Sequence, residues 1–266
     1  MRTLKAWLRR RTLRKAQLPD AEWRSAVAVI PLLSDLDNAE LGKLRDLTIL
    51  FLHEKSLIAE GGLAMNQEMR LQIAAQACLL ILNLGLDYYR GWATVIVYPA
   101  GFLAPSEYRD AAGVVHSVCR PLIGEAWDRG PVILSWEDVQ GAAGRDGYNV
   151  VVHEFAHKLD MLTGDVNGLP PLHRGMNREE WSRSFLDAYN DLQRCVENGL
   201  DVPIDPYAAE NPGEFFAVAS EVFFETPATL IGVYPEVYGQ LAEFYRQDPL
   251  RRLSRGQSKS PRDLYC

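Results

Sequence analysis

The chain has 266 residues, of which 47% are hydrophobic and 24% are charged, and its formal net charge is −7. A chain of this length and apolar content can bury a large core. An acidic surface lacks the clustered cations that binding to nucleic-acid phosphates requires. These values predict a folded protein and argue against direct nucleic-acid binding.

The first fifteen residues differ from the rest because they carry seven cations and no acid, so the remaining residues carry a net charge of about −14. Leu4, Trp7 and Leu8 lie between these cations at helical spacing. Two interpretations stay open: a helix that lies on an anionic membrane or partner surface, or a frayed, solvated terminus. The arginines interrupt any apolar stretch, which argues against a signal peptide. We expect a basic, mobile arm over residues 1–19.

No apolar stretch is long enough to span a bilayer, so we expect no transmembrane segment. The four cysteines are scattered without paired spacing, which indicates neither a disulfide framework nor a cysteine-type zinc site. A reducing cytoplasm is therefore the expected location. The cysteines are Cys78, Cys119, Cys195 and Cys266.

The pattern is helical over residues 38–85 and changes to short β-branched runs over residues 92–136. One of these runs, Gly130 to Trp136, is either an edge strand that pairs with an extended substrate or an interior strand. Helical patterns return at residues 146–162, with Asp146 as candidate N-cap, and at residues 211–227 and 235–247. We predict a single α+β domain over residues 20–250 and a polar, mobile tail over residues 251–266.

The sequence His-Glu-x-x-His begins at His153 and lies within the predicted helix, so His153 and His157 are one turn apart on the same face. Two imidazoles at this spacing suit Zn²⁺, and the adjacent Glu154 suits the general base of a metal-assisted hydrolysis. The alternative is a helix whose histidines make ordinary core hydrogen bonds. Asp160 either orients a ligand imidazole, caps the helix end or lies in water.

A third ligand must come from elsewhere, because Asp160 and Thr163 stand where a metzincin has its glycine and third histidine. Glu214 and Glu221 are candidates, seven residues and so two turns apart on one face of an apolar helix. Glu214 is alternatively part of a capping box begun at Asn211, and Glu221 a buried partner of a ligand histidine. Spacing alone does not choose between them.

The segments HEFAHKLD and DPYAAENPGEFFAVASEVFFETP resemble the Mlc titration factor A family of bacterial metallopeptidases, and the similarity covers residues from about Leu33 to Tyr245. That family is similar to the gluzincin-like catalytic domain of anthrax lethal factor. The resemblance implies that Glu214 is the third zinc ligand, that Tyr207 faces the metal and that Glu221 lies behind the ligands. Tyr207 also has a chemical rationale, because a phenol near the metal can donate a hydrogen bond to an oxyanion.

The sequence therefore predicts a zincin-like α+β fold with a small twisted sheet above the His-Glu-x-x-His helix and one Zn²⁺ per chain. The predicted reaction is peptide hydrolysis. The resemblance further implies short or aminopeptidase-type substrates, binding of the glucose-responsive repressor Mlc and a role in sugar-uptake control. Two rivals remain: a zinc protein that sequesters a repressor without catalysis, and a hydrolase acting on an amide that is not a peptide.

Overall fold

The computed structural model describes residues 2–100, 102–109, 115–122, 124–126, 130–141 and 144–257. The helices are α1 (Arg2–Lys15), α2 (Asp20–Ala28), α3 (Asn38–Glu54), α4 (Gln67–Leu80), α5 (Trp136–Gly141), α6 (Val150–Asp160), α7 (Arg178–Glu197), α8 (Pro212–Glu225), α9 (Pro227–Val233), α10 (Pro235–Tyr245) and α11 (Pro249–Gln257). The strands are β1 (Ser56–Ala59), β2 (Thr94–Tyr98), β3 (Phe102–Arg109), β4 (Val115–Leu122), β5 (Gly124–Ala126) and β6 (Val132–Ser135). The described part of the chain is mostly helical with a small sheet, which agrees with the predicted α+β class.

The main sheet has the strand order β1-β2-β6-β5. Strands β1, β2 and β6 are parallel, whereas β5 pairs with β6 in the antiparallel direction. Val95 and Val97 of β2 lie beside Val132 and Leu134 of β6, and all four side chains are fully buried. This sheet face therefore packs into the core. Strands β3 and β4 form a separate antiparallel pair.

The interpretation of residues 130–136 as a substrate-pairing edge strand is wrong. Strand β6 has a hydrogen-bonded neighbour on each side, so its backbone groups are used within the sheet. The burial of Val132 and Leu134 is compatible with either position, and the pairing of residues 124–126 on the far side is what makes the strand interior. Among the described strands, β5 is the end of the sheet order on that side.

Helices α6 and α8 pack against each other, and α4 packs against α6. Every residue of α6 is buried except His153. Every residue of α8 is buried except its first residue, Pro212, and Glu214. Two almost completely buried helices thus each present one partly exposed polar side chain.

Helix α6 begins later than the sequence indicated. Its N-cap is Asn149, whose side-chain oxygen accepts a hydrogen bond from the backbone N–H of Val152 at 3.0 Å. Asp146 instead accepts a hydrogen bond from the backbone N–H of Tyr148 at 3.1 Å. Gly147 has φ of 96°, a left-handed conformation that separates this turn from the helix.

Helices also occupy parts of the two terminal segments that we expected to be mobile. Helix α1 lies within residues 1–19, and α11 extends over the first residues of the predicted tail. Arg252 of α11 is buried and donates hydrogen bonds to Glu40 of α3. The remaining tail, residues 258–266, lies outside the described residues, and the predicted domain limits stay predictions. In the part of the chain that the structure describes, no helix is long and apolar enough to cross a membrane.

Candidate metal centre

Helix α6 brings the two predicted ligand histidines together. The ring centroids of His153 and His157 are 4.8 Å apart, and their Nε2 atoms are 3.2 Å apart. Two ring nitrogens that converge in this way repel each other when both present lone pairs, and both N–H groups cannot occupy the same space. A proton or a metal cation between them removes this conflict.

Helix α8 adds the third polar group. Asn211 caps this helix by accepting a hydrogen bond from the backbone N–H of Glu214 at 3.0 Å, and the Glu214 side chain reaches the histidines. Its Oε2 lies 3.0 Å from Nε2 of His153 and 3.3 Å from Nε2 of His157. Glu214 thus takes part in the helix cap through its backbone N–H, and its carboxylate stays available to the histidines.

The three atoms form a triangle with edges of 3.0, 3.2 and 3.3 Å. Ligand atoms bound to one tetrahedral zinc ion at its usual distances lie about 3.4 Å from one another. His153, His157 and Glu214 are also the group of metal-ligating side chains found among the described residues. The donor set and its spacing therefore fit a single metal ion held by two imidazoles and one carboxylate.

The charges around this triangle favour a cation. Burial lowers the pKa of His153, but hydrogen bonds to Glu214 and Glu221 and the charges of Glu221 and Glu154 outweigh it and raise that pKa well above its usual value. Burial raises the pKa of Glu214, but hydrogen bonds from His153 and His157 lower it to about 2. An ionised Glu214 beside two imidazoles is the arrangement that a divalent cation requires.

Glu221 lies on the other side of His153. Its Oε1 is 2.7 Å from Nδ1 of His153, and its Oε2 accepts a hydrogen bond from the backbone N–H of Asn149 at 2.5 Å. An Nδ1–H that donates to Glu221 leaves the lone pair on Nε2, which is the tautomer that binds a metal. The structure thus gives the two glutamates different places: Glu214 beside both Nε2 atoms and Glu221 behind His153.

A buried network continues from Glu221 and was missed from the sequence. The side-chain amide of Asn149 donates to Oε1 of Gln76 at 2.8 Å and to Oε1 of Glu225 at 2.9 Å. All of these side chains are buried. Two local signals could have pointed to parts of it: Asn149 is of a residue type that favours helix caps, and Glu225 follows Glu221 by four residues on the same helix face. The contacts themselves join residues more than seventy positions apart, which no local pattern reveals.

The structure places the other predicted site residues as follows. Glu154 is buried, and its charge contributes to the raised pKa of His153. Tyr207 is half exposed in a short 3₁₀ helix (Pro206–Ala209), with its ring centroid 6.2 Å from that of His153. Both residues are therefore close to His153.

Asp160 is completely buried, which excludes the solvent-exposed interpretation. Its Oδ2 accepts a hydrogen bond from the backbone N–H of Gly168 at 2.7 Å, and burial raises its pKa to about 6. Its Oδ1 and Nδ1 of His157 both lack a hydrogen-bond partner among the described residues. Asp160 thus holds the loop after α6 and is not hydrogen-bonded to His157.

A family model described as glucose-regulated metallo-peptidase M90 matches residues 4–246. The chain belongs to this family. The match includes most of α1 and ends one residue after α10. Membership in a family named for metallopeptidases agrees with a metal site built from His153, His157 and Glu214.

Curated relatives cover nearly the whole chain. Mlc titration factor A of Serratia proteamaculans is 36% identical over 247 residues, which are 92% of this chain and 94% of the relative. The protein of that name from Yersinia enterocolitica is 36% identical over 253 residues, with the same coverage of both chains. That from Yersinia pestis is 37% identical over 251 residues, 92% of each chain. The resemblance inferred from the sequence is confirmed.

Proposed function

We propose that this chain is a zinc-dependent peptidase of the zincin type, with a gluzincin-like ligand set. The observation that carries the proposal is the convergence of His153, His157 and Glu214 within 3.3 Å of one another, with Glu154 buried next to the first ligand. Family membership adds support, because the family is named for metallopeptidases. The partly exposed positions of His153 and Glu214 leave one side of the group open to a substrate.

A bound zinc ion supplies polarisation of the substrate carbonyl and a lowered pKa for the attacking water. The carboxylate of Glu154 accepts the proton of that water and returns it to the leaving amine. Glu221 accepts a hydrogen bond from Nδ1–H of His153 and so keeps the Nε2 atom of His153 directed towards His157 and Glu214. The phenol of Tyr207 donates a hydrogen bond to the oxyanion that forms at the attacked carbonyl.

A peptide substrate also needs a surface that holds it extended. Strand β5 contacts α6 and, among the described strands, is paired on one side only. Unpaired backbone groups at a sheet edge can form hydrogen bonds with an extended peptide. We therefore assign to β5 the role that the sequence had suggested for residues 130–136.

We also propose a regulatory role for this chain through binding to a repressor. Relatives that cover 92% of the chain carry the name Mlc titration factor A. We infer from that name that this chain binds an Mlc-like repressor in the cytoplasm and takes part in the control of sugar uptake. Short or aminopeptidase-type substrates belong to the same proposal. The rival function is sequestration of the repressor without turnover, and it needs the metal centre but not Glu154.

The decisive experiment compares wild type, Glu154→Gln, His153→Ala and the control Glu210→Gln, an exposed glutamate close to Tyr207 in the chain. Zinc is measured by elemental analysis, and hydrolysis with a chromogenic peptide panel. We expect about one zinc per wild-type chain and per Glu154→Gln chain, and loss of zinc in His153→Ala. Hydrolysis should fall by a factor of about 100 or more in Glu154→Gln, the usual range for a lost general base, and stay unchanged in Glu210→Gln.

Two results would contradict the proposal. If the wild-type chain binds no zinc, the proposed metal centre is wrong. If Glu154→Gln hydrolyses peptides as fast as wild type, Glu154 is not the general base. Binding of a purified Mlc-like repressor is measured on the same proteins. Repressor binding without hydrolysis of any peptide by wild type would favour sequestration.

A further inference from the structure

Helix α1 is attached to the body through one face. Lys5 donates a hydrogen bond to Asp87 at 2.7 Å, and Arg9 donates two to the carboxylate of Glu54 at 2.7 and 3.1 Å. Arg9 also forms an ion pair with Asp87 at 3.0 Å. Two of the seven cations at this end of the chain are thereby neutralised, and they fix which side of the helix faces outward.

The outward side of α1, which we call the α1 basic face, combines apolar and cationic side chains. Leu4, Trp7 and Leu8 are 61%, 54% and 48% exposed, and Trp7 and Leu8 both lie about one turn after Leu4. Four exposed cations share this side, and the helix contains no acid. The cations are Arg10, Arg11, Arg14 and Lys15. The guanidinium of Arg11 lies 5.7 Å from the centroid of the Trp7 ring, so the cation and the aromatic ring share one exposed surface. An exposed apolar patch of this kind marks an interaction surface.

A groove continues the α1 basic face onto the body of the protein. It has a volume of about 610 Å³ and lies between α1, α3 and the start of α4. Ile49, Leu52 and Leu71 are among its apolar lining residues, and Arg11 and Lys15 line it as well. Among its described lining residues there is no acidic side chain. The groove therefore combines apolar and cationic lining residues.

We propose that the α1 basic face binds peripherally to an anionic phospholipid surface. Charge complementarity supports this occupant, because the cations are concentrated at this end of the chain while the remaining residues carry about −14 and would be repelled by such a surface. We assign the membrane contact to this face because it joins exposed cations to exposed apolar side chains. It rests on α1 alone and is independent of the proposed peptidase activity.

The mixture of residues favours a bilayer over other anionic partners. On a nucleic-acid backbone the cations would meet phosphates, but Trp7 and the leucines would stay in water. At a bilayer interface, leucines enter the acyl boundary, tryptophan prefers the headgroup level, and arginine and lysine extend to the phosphates. At a bilayer interface, the apolar and the cationic side chains of this face are therefore all in favourable surroundings.

The test is co-sedimentation of the full chain with vesicles of phosphatidylcholine containing phosphatidylglycerol, and with vesicles of phosphatidylcholine alone. We expect binding to the anionic vesicles at least about tenfold tighter than to the neutral ones, and weakened by added salt. The double variants Leu4→Ser/Trp7→Ser and Arg10→Gln/Arg14→Gln should each reduce binding about tenfold or more. All four positions are exposed, and Lys5 and Arg9 stay in place to hold the helix.

The matched control is Arg183→Gln/Leu186→Ser on α7, which removes an exposed cation and a leucine that is 53% exposed. It should bind like wild type, and circular dichroism should show the same helix content in all variants. The proposal is overturned if wild type does not bind anionic vesicles at low salt, or if the control reduces binding as much as the α1 variants. Binding to an acidic peptide or to DNA in place of vesicles would equally overturn it.

Discussion

The two ring nitrogens of His153 face regions that are built in different ways. On the Nε2 side, His157 and Glu214 converge within 3.3 Å at a place that is partly open to solvent. On the Nδ1 side, Glu221 and Asn149 belong to a closed network of buried polar groups. The open side presents ligand atoms, and the closed side sets the direction in which they point.

The two sides of His153 have different roles in the site. The side chains of the closed side are buried and joined by hydrogen bonds within the chain, so this side is part of the folded core whether or not a metal is bound. The open side brings two imidazoles and a carboxylate together, and a bound cation would stabilise that arrangement. Substitutions on the open side should therefore act mainly on metal binding, and those on the closed side on both metal binding and folding.

The largest effect is expected for Glu214→Ala. Removal of one of three ligands should weaken zinc binding more than about a hundredfold, beyond the usual effect of a residue that contacts a ligand from behind. Zinc affinity is measured by competition with a chromophoric chelator, with Glu210→Ala as the exposed control. If Glu214→Ala keeps its zinc while Glu221→Ala loses it, the roles of the two glutamates are exchanged.

Glu221→Gln should weaken zinc binding by about 10- to 100-fold. Its two oxygens contact two nitrogens, Nδ1 of His153 at 2.7 Å and the backbone N–H of Asn149 at 2.5 Å. Glutamine offers only one acceptor oxygen, so one of these donors would face an amide NH₂. The same chelator competition measures the effect, and an affinity equal to that of wild type would exclude a role for Glu221 in directing His153.

Asn149→Ala should lower the free energy of unfolding by about 2 kcal/mol, because it removes a helix cap and leaves buried polar partners unpaired. The matched control is Asn66→Ala, since Asn66 caps α4 by accepting from the backbone N–H of Met69 at 2.9 Å and lies on the surface. The control substitution should lower the free energy of unfolding by about 1 kcal/mol. Urea unfolding of the metal-free proteins gives both values. Equal losses would mean that Asn149 acts only as a cap.

The extent to which the site follows from the sequence depends on the distance between its parts along the chain. His153 and His157 were predictable because residues four positions apart share one face of a helix. Glu214 and Glu221 share a face too, so spacing left the third ligand open, and only the resemblance to a known family indicated Glu214. The packing of α8 on α6 places both residues, and no local pattern encodes that packing.

The same limit applies to the fold. The strand at residues 132–135 was recognisable from its apolar run, but an interior strand and an edge strand have similar composition when one face is buried, so the sequence left its place in the sheet open, and the edge-strand alternative was wrong. The sequence placed Asn149 inside the predicted helix, with Asp146 as the cap, and the contacts of Asn149 with Gln76 and Glu225 depend on three helices meeting. Local patterns thus predict elements, and tertiary packing decides which of their polar residues meet.

The smallest effect concerns Glu225, at the far end of the closed network. Burial is the main cause that raises the pKa of its carboxyl group to about 7, and the like charges of Asp146 and Glu221 raise it further. The hydrogen bond from Asn149 and the charge of Arg145 lower this pKa but offset the rise only in part. Its Oε2 has no hydrogen-bond partner among the described residues. The folded chain therefore favours the protonated form of this side chain at pH values below about 7.

Because the folded-state pKa lies above the usual glutamate value, the folded chain binds more protons here than the unfolded chain between about pH 4.5 and 7. The contribution of Glu225 to the free energy of unfolding falls as the pH rises through this window and stays low above it. Glu225→Gln keeps an acceptor for Asn149 without the charge, so it should be more stable than wild type at pH 8 by on the order of 1 kcal/mol, with the difference vanishing near pH 5. Urea unfolding across this range tests the prediction, with the exposed Glu60→Gln as control. A difference between wild type and Glu225→Gln that does not change with pH would show that the Glu225 carboxylate is not destabilised by burial, and the closed side would then tolerate a charge at its far end.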